Sequence, residues 1–228
     1  MRSIYPAIMS LVVSVVVSAI HAPRAWSAEA CALPPGFVDT PHPKIAPVAE
    51  LVSHTEEITI EHPLAVVRDS ASRGRLEETI DRTSGLPGVI GAYRLTTEVR
   101  FPQPGARRIV CLTDGSTVSE QVLEYEERPD GSRYRYVVWN YTSPKFPPIS
   151  YAIGEIVRSA VGDTRTRVRW TYSFELDRQK HPGSLGAEGD RLFRESFLDP
   201  VFSQWMRKTL ENGKKRVASV APSIKSSE

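Results

Sequence analysis

The chain has 228 residues, 40% hydrophobic and 25% charged, a composition too apolar for intrinsic disorder and enough for one large domain or two small ones. Its 29 Lys and Arg residues against 27 Asp and Glu leave a formal net charge of +2, with no basic run that could track a phosphate backbone. Nucleic acid is therefore not an expected partner.

Residues 1–30 read as a signal peptide: Arg2, then an apolar run from Ile8 to Ile20, then Ala25-Trp26-Ser27 and Ala28-Glu29-Ala30. The run is about 13 residues long, short of the roughly 20 that span a bilayer. The expectation is a cleaved signal, a mature start near Ala28 or Cys31, a net charge near zero, and a periplasmic or secreted protein. Cys31 and Cys111 both survive that cleavage, and an exported chain can keep a disulfide that a cytosolic one would lose. A Cys31–Cys111 bond would pin the N-terminal arm to the body. Two free thiols, or an acylated Cys31, are the alternatives, although Ala28 and Glu29 fit a lipidation site poorly.

Residues 31–55 form a proline-rich arm, with Pro34, Pro35, Pro41, Pro43 and Pro47 blocking regular helix or central strand. Glu56 to Glu61 alternates polar and β-branched residues and stops at His62-Pro63, the pattern of a half-buried strand. Leu64 to Ile80 reads as short helices, broken by Gly85-Leu86-Pro87-Gly88. The period then changes. Ala106–Thr113, Thr117–Glu127, Arg133–Tyr141, Ser150–Ser159 and Thr164–Leu176 read as five strands of a meander, with Ala92–Phe101 a candidate sixth. A loop holding Pro182, Gly183, Gly186 and Gly189 follows. Phe202, Trp205, Met206, Leu210, Gly213 and Val217 then form one apolar stripe of a long helix. Asp199-Pro200 would cap it, unless a kinked helix starts already near Arg191. Arg207, Lys208, Lys214, Lys215 and Arg216 lie mostly off the stripe and read first as a solvated basic face, with contact to an anionic membrane surface the lesser alternative. Residues 218–228 read as a disordered tail.

Strand, short helices, antiparallel meander and one long amphipathic helix make an α+β, helix-grip layout: a curved antiparallel sheet wrapped around a long C-terminal helix. Leu86-Pro87-Gly88-Val89, Pro104-Gly105-Ala106-Arg107-Arg108, Leu112-Thr113-Asp114-Gly115-Ser116, Glu120-Gln121-Val122-Leu123 and Thr166-Arg167-Val168-Arg169-Trp170-Thr171-Tyr172 resemble, in order, recurrent stretches of the START-like (SRPBCC) superfamily, in its polyketide cyclase/dehydrase and lipid-transport branch. The resemblance covers residues 56–217. It implies a space between sheet and helix that takes a hydrophobic small molecule, with no cofactor. One departure is the aliphatic Leu64-Ala65-Val66-Val67, where that superfamily commonly has an aromatic.

Alternation places Val168, Trp170, Tyr172 and Phe174 on one strand face, and Tyr151, Ile153, Glu155 and Val157 on one face of the strand before. If both apolar sets face the helix, Glu155 points inward, where a carboxylate needs a partner or a raised pKa. Arg108, Val110 and Leu112 share a face, as do Val118, Glu120 and Val122. A three-residue turn, Asp114-Gly115-Ser116, makes those faces coincide and lets Arg108 reach Glu120 on the diagonal; a two-residue turn separates them. Asn140 and Tyr141 lie on opposite faces, so one of the two meets the interior.

Two readings of these residues stand side by side. In one, Arg108, Glu120 and Glu155 are structural ion pairs or hang at the sheet edge. In the other, Arg108, Glu120 and Glu155 orient the polar end of a ligand whose body lies on Trp139, Tyr151, Trp170 and Tyr172. A cyclase or dehydratase would use Glu155 or Glu120 as general base and Arg108 to steady an enolate. An envelope interaction module with a filled interior is the third reading. His42, His54, His62 and His181 show no metal-ligand spacing, and there is neither a phosphate-binding glycine loop nor a Gly-x-Ser-x-Gly elbow. The two Asp-Gly-Ser triplets, at residues 114–116 and 130–132, sit where hairpins need turns.

Overall fold

The computed structural model describes residues 31–33, 35–96, 98–178 and 186–221. The proposed signal segment, Pro34, His181, Pro182, Gly183 and the tail after residue 221 lie outside the described residues. The described residues form β1 (Val52–Ile60), α1 (Leu64–Arg73), β2 (Val89–Arg94), β3 (Arg107–Leu112), β4 (Thr117–Arg128), β5 (Gly131–Trp139), β6 (Ile149–Val161) and β7 (Arg165–Leu176), followed by a long helix. The strands make a seven-stranded antiparallel sheet in the order β1-β7-β6-β5-β4-β3-β2. This is the helix-grip arrangement: a curved sheet closed on one side by the C-terminal helix.

Three boundaries differ from the sequence reading, each for a physical reason. β1 begins at Val52 rather than Glu56, because its polar start pairs with β7 from Val52–Phe174 to Ile60–Thr166. β2 occupies Val89–Arg94 and not residues 92–101, since Phe101-Pro102 begins a turn that proline cannot extend as a ladder. The last helix starts at Gly186, so Gly186 and Gly189 belong to it rather than to a loop. It runs as α2 (Gly186–Phe193), a π-helical stretch (Arg194–Phe202) and α3 (Ser203–Val220), which takes residues 218–220 out of the expected tail. Pro200 lies within the π stretch, where the Ser203 amide reaches back to the Leu198 carbonyl. A proline has no amide to give the ladder, and the wider turn absorbs that loss without ending the helix. Phe193, Phe197, Leu198, Phe202 and Met206 thereby stay on one buried side.

The β3–β4 turn is three residues long, but they are Thr113, Asp114 and Gly115. The Leu112 amide donates to the Ser116 carbonyl at 2.9 Å, and Gly115 has φ 82°, which favours glycine. Arg108 therefore sits directly opposite Glu120 instead of diagonal to it, on the same face.

The inner face of the sheet is covered by helices and part of the outer face by the arm. α1, through Val67, joins Ile60, Val168 and Val217 at one end of the inner side. On the outer side lies the arm. Cys31 and Cys111 are joined as a disulfide, Arg107 pairs with Asp39, the His42 ring meets Trp139 edge-on, and the Ala46 amide donates to the Tyr151 hydroxyl at 2.8 Å. Ile45 and Ala46 pack on Leu51, Val137, Trp139, Tyr151 and Ile153. Gly91 leaves room for the disulfide, since a Cβ there would lie 3.1 Å from the Cys31 Cβ.

The basic end of α3 is partly engaged with the body. Arg207 pairs with Glu56 and Arg216 with Glu78, whose carboxyl is held below its usual range chiefly by the Arg216 hydrogen bond.

Candidate functional site: a cavity between sheet and helix

A cavity of about 390 Å³ lies between the inner sheet face, α1 and α3, a size within the range of small-molecule sites. Its walls are mainly apolar, including Ile58, Val67, Ile80, Val110, Val138 and Leu210. Tyr134, Tyr136, Tyr141, Trp170, Tyr172, Phe202 and Trp205 add aromatic surface. The even-numbered residues of β7 point here, as alternation requires, which brings Trp170 and Tyr172 into the wall.

One ion pair crosses the wall. Arg108 Nη2 donates to Glu120 Oε1 at 2.6 Å, and the Tyr134 hydroxyl donates to the same oxygen at 3.0 Å. Glu120 is only 5% exposed. Burial is the largest influence on the Arg108 guanidinium and pulls it down, but Glu120, together with Tyr134 and Tyr136, leaves it above its ordinary value. The guanidinium also lies 4.3 Å from the centre of the Phe101 ring, a cation–π contact. Glu120 Oε2 takes no hydrogen bond among the described residues, which leaves one carboxylate oxygen for an interior guest.

Beside that pair, three aromatic groups form a hydrogen-bonded chain. Trp170 Nε1 donates to the Tyr136 hydroxyl at 3.1 Å, which donates to the Tyr172 hydroxyl at 3.0 Å. Burial pushes the Tyr134, Tyr136, Tyr141 and Tyr172 phenols well above their ordinary pKa, so all four stay neutral. The chain depends on Gly154 of β6. The Tyr136 ring lies where a Cβ on residue 154 would be, in direct conflict with Cζ and the hydroxyl. Gly154→Ala is expected to cost about 1–3 kcal/mol in urea unfolding, as overpacking does, and to move the near-ultraviolet signal of these aromatics. An unchanged unfolding midpoint would mean that Tyr136 has room to turn away.

The structure brings together Arg108, Glu120, Trp170 and Tyr172, and separates them from Glu155, Trp139 and Tyr151. Glu155 lies on the outer face, where its Oε2 accepts from Arg133 Nε at 2.9 Å and Nη2 at 2.5 Å. Trp139 and Tyr151 face the arm. The reason is that β6 carries apolar residues on both faces. Its inward set is Ala152, Gly154, Ile156 and Arg158, with Gly154 and Ile156 beside Tyr136 and Trp170, and the more conspicuous Tyr151 and Ile153 are buried under the arm. A strand covered on both sides does not reveal its inner face by hydrophobicity. Tyr141, not Asn140, meets the interior; Asn140 has φ 57°, a conformation that ends the strand. Tyr134, Tyr136 and Arg158 escaped the sequence reading, and Trp205 was read as part of the helix's apolar stripe but not as a wall of the site. The small residues Ala152 and Gly154, alternating with Ile156, were the available signal, since large rings opposite need that space.

No family model matches the chain, and no curated protein matches it. Solved structures do. Ara h 8.0201 superposes with a TM-score of 0.52 at 14% identity, over 73% of this chain and 97% of its own. The Zhui aromatase/cyclase from Streptomyces sp. R1128 gives 0.53 at 12% identity, over 75% and 96%. Norcoclaurine synthase from Thalictrum flavum, in complex with dopamine and hydroxybenzaldehyde, gives 0.50 at 9% identity, over 82% and 98%. At these identities the likeness is one of fold: this chain has the helix-grip fold of these three proteins.

Proposed function

We propose that the protein binds a hydrophobic or amphipathic small molecule, lipid-, quinone- or polyketide-like, in the cavity between sheet and helix. The observation that carries this is the cavity itself: about 390 Å³ of space with apolar and aromatic walls, in an interior that close packing would otherwise fill. A space of this kind also argues against an interaction module with a filled interior. Residues 1–30 have the layout of an export signal, and a disulfide between Cys31 and Cys111 suits an oxidising compartment. Both support a periplasmic or secreted location.

The test is native mass spectrometry of the mature protein purified from an oxidising compartment, followed by solvent extraction. The expected result is a defined mass increment released as one compound class. An apo mass under gentle conditions, with tryptophan fluorescence unmoved by apolar compounds, would overturn the proposal. For a ligand so identified, Trp170→Ala is expected to weaken binding about tenfold or more, a loss of about 1.4 kcal/mol. Tyr151→Ala, beneath the arm on the other face, should leave affinity unchanged. Equal effects of the two substitutions would place the ligand elsewhere.

A second reading has its own observation. Glu120 keeps one oxygen free toward the cavity while Arg108 and Tyr134 hold the other, an arrangement suited to a general base with a cation beside it. In a cyclase or dehydratase Glu120 would take the substrate proton and Arg108 would steady the enolate. Turnover that survives Glu120→Gln would remove this reading.

A further inference from the structure

One end of the cavity holds donors that have no acceptor. Glu127, Ser132, Arg158 and Val168 form a row across β4, β5, β6 and β7, and Ser132 and Arg158 point inward among the cavity-lining residues. This row lies six residues along β5 from Val138, which stands opposite Glu120. Ser132 is 6% exposed and its Oγ has no hydrogen-bond partner among the described residues. Arg68 of α1 enters from the other side. Its Nη2 is held by the Arg128 and Gly131 carbonyls of the β4–β5 turn, while its Nε is buried and unpartnered.

Arg158 is the most telling member. Two further cavity-lining arginines have carboxylates at 2.6 Å, Arg108 with Glu120 and Arg216 with Glu78; Arg158 forms neither an ion pair nor a hydrogen bond among the described residues. Burial, and then the charge of Arg68, pull its guanidinium below the ordinary arginine value, against the pull of Tyr125, Tyr134 and Glu127. Glu127 is exposed and accepts the Tyr125 hydroxyl. Two guanidinium groups therefore line this end of the cavity, and neither forms an ion pair with Glu127 among the described residues. Arg158 is half-buried, while the Ser132 Oγ and the Arg68 Nε beside it are fully buried without a partner; unpaired donors of this kind cost stability, and such costs persist where a site is kept ready for something else.

We propose that this end of the cavity is an anion subsite, in which Arg158, Ser132 and Arg68 hold the carboxylate or phosphate of a ligand whose apolar body lies along Ile156, Trp170 and Trp205. A carboxylate or phosphate oxygen offers only lone pairs, which is what three unsatisfied donors require. The assignment rests on the cavity being a binding site and narrows its guest to an amphipathic anion.

The test titrates dodecanoate, dodecyl phosphate and 1-dodecanol against the folded, disulfide-bonded protein, read by the fluorescence of Trp170 and Trp205. At least one of the two anions should bind tenfold or more tightly than the alcohol, and which one does so identifies the anion. In Arg158→Gln that preference should vanish, while dodecanol affinity stays within about twofold of the wild type and the melting temperature is unchanged or higher. Glu127→Gln should tighten the anion. Equal affinity of the wild type for alcohol and anions, or a preference that survives Arg158→Gln, would overturn the anion subsite and leave the cavity proposal standing. An Arg158→Gln protein that melts lower and loses dodecanol as well would make Arg158 a structural residue and also overturn it. Binding of none of the three would overturn both.

Discussion

Arg108→Ala is expected to lower the free energy of unfolding by about 3–5 kcal/mol, because it strands the Glu120 carboxylate in the interior. Glu120 is 5% exposed, and losing Arg108 would leave the Tyr134 hydroxyl as its donor among the described residues. The size of the effect belongs to the uncompensated charge rather than to the net worth of the pair. Replacing both partners, as Arg108→Met with Glu120→Leu, should accordingly recover most of the loss. Urea unfolding of the two single variants and the double one separates these contributions. A single variant within about 1 kcal/mol of the wild type would mean that water reaches Glu120 through the cavity and solvates it.

Reduction of the disulfide, or Cys31→Ser with Cys111→Ser, is expected to cost about 2–5 kcal/mol. The bond joins residues 80 apart in sequence, so in its absence the unfolded chain regains a large closed loop's worth of freedom. The folded state also changes, because the arm would then depend on Arg107–Asp39, the Trp139 ring, the Tyr151 hydroxyl and the packing of Ile45 and Ala46. Unfolding with and without reductant, compared with the double serine variant, measures the loss. A difference below about 1 kcal/mol would show that the denatured chain stays compact around the same contacts.

The layout of the fold was legible because its signals are local. Turn residues such as Asp114-Gly115 punctuate the strands, and Phe202, Met206, Leu210 and Val217 recur at helical spacing. The pairing of Arg108 with Glu120 was legible to within its register: the turn starts one residue earlier than Asp114, and because the expected and the observed turn are both three residues long the faces still coincide. What failed was the choice of face on β5 and β6. Trp139, Tyr151 and Ile153 look like the walls of a pocket because the arm that buries them on the outer side is broken by prolines, so its apolar residues, Ile45 and Ala46 among them, follow neither a helical nor a strand period and do not announce a cover. Glu155 was drawn inward by the same misplacement. Arg158 was overlooked for the opposite reason. At the end of a strand an arginine reads as solvated, and only the closure of α1 over the β4–β5 turn by Arg68 encloses it.

The arm's two attachments have a further consequence for how the molecule opens. A segment fixed at one end frays from its tip, releasing one residue at a time at little free energy. Residues 31–51 are fastened at both ends, by the disulfide to β3 and by the peptide chain to β1. Such a strap has no tip. It leaves the sheet by bulging, and a bulge must break the Asp39, His42 and Ala46 contacts together. Amide exchange across the strap should therefore behave as one cooperative unit in the oxidised protein and become a gradient from the N-terminus once the bond is cut. A protease would meet the same difference: few cleavable conformations in the first case, a free end in the second.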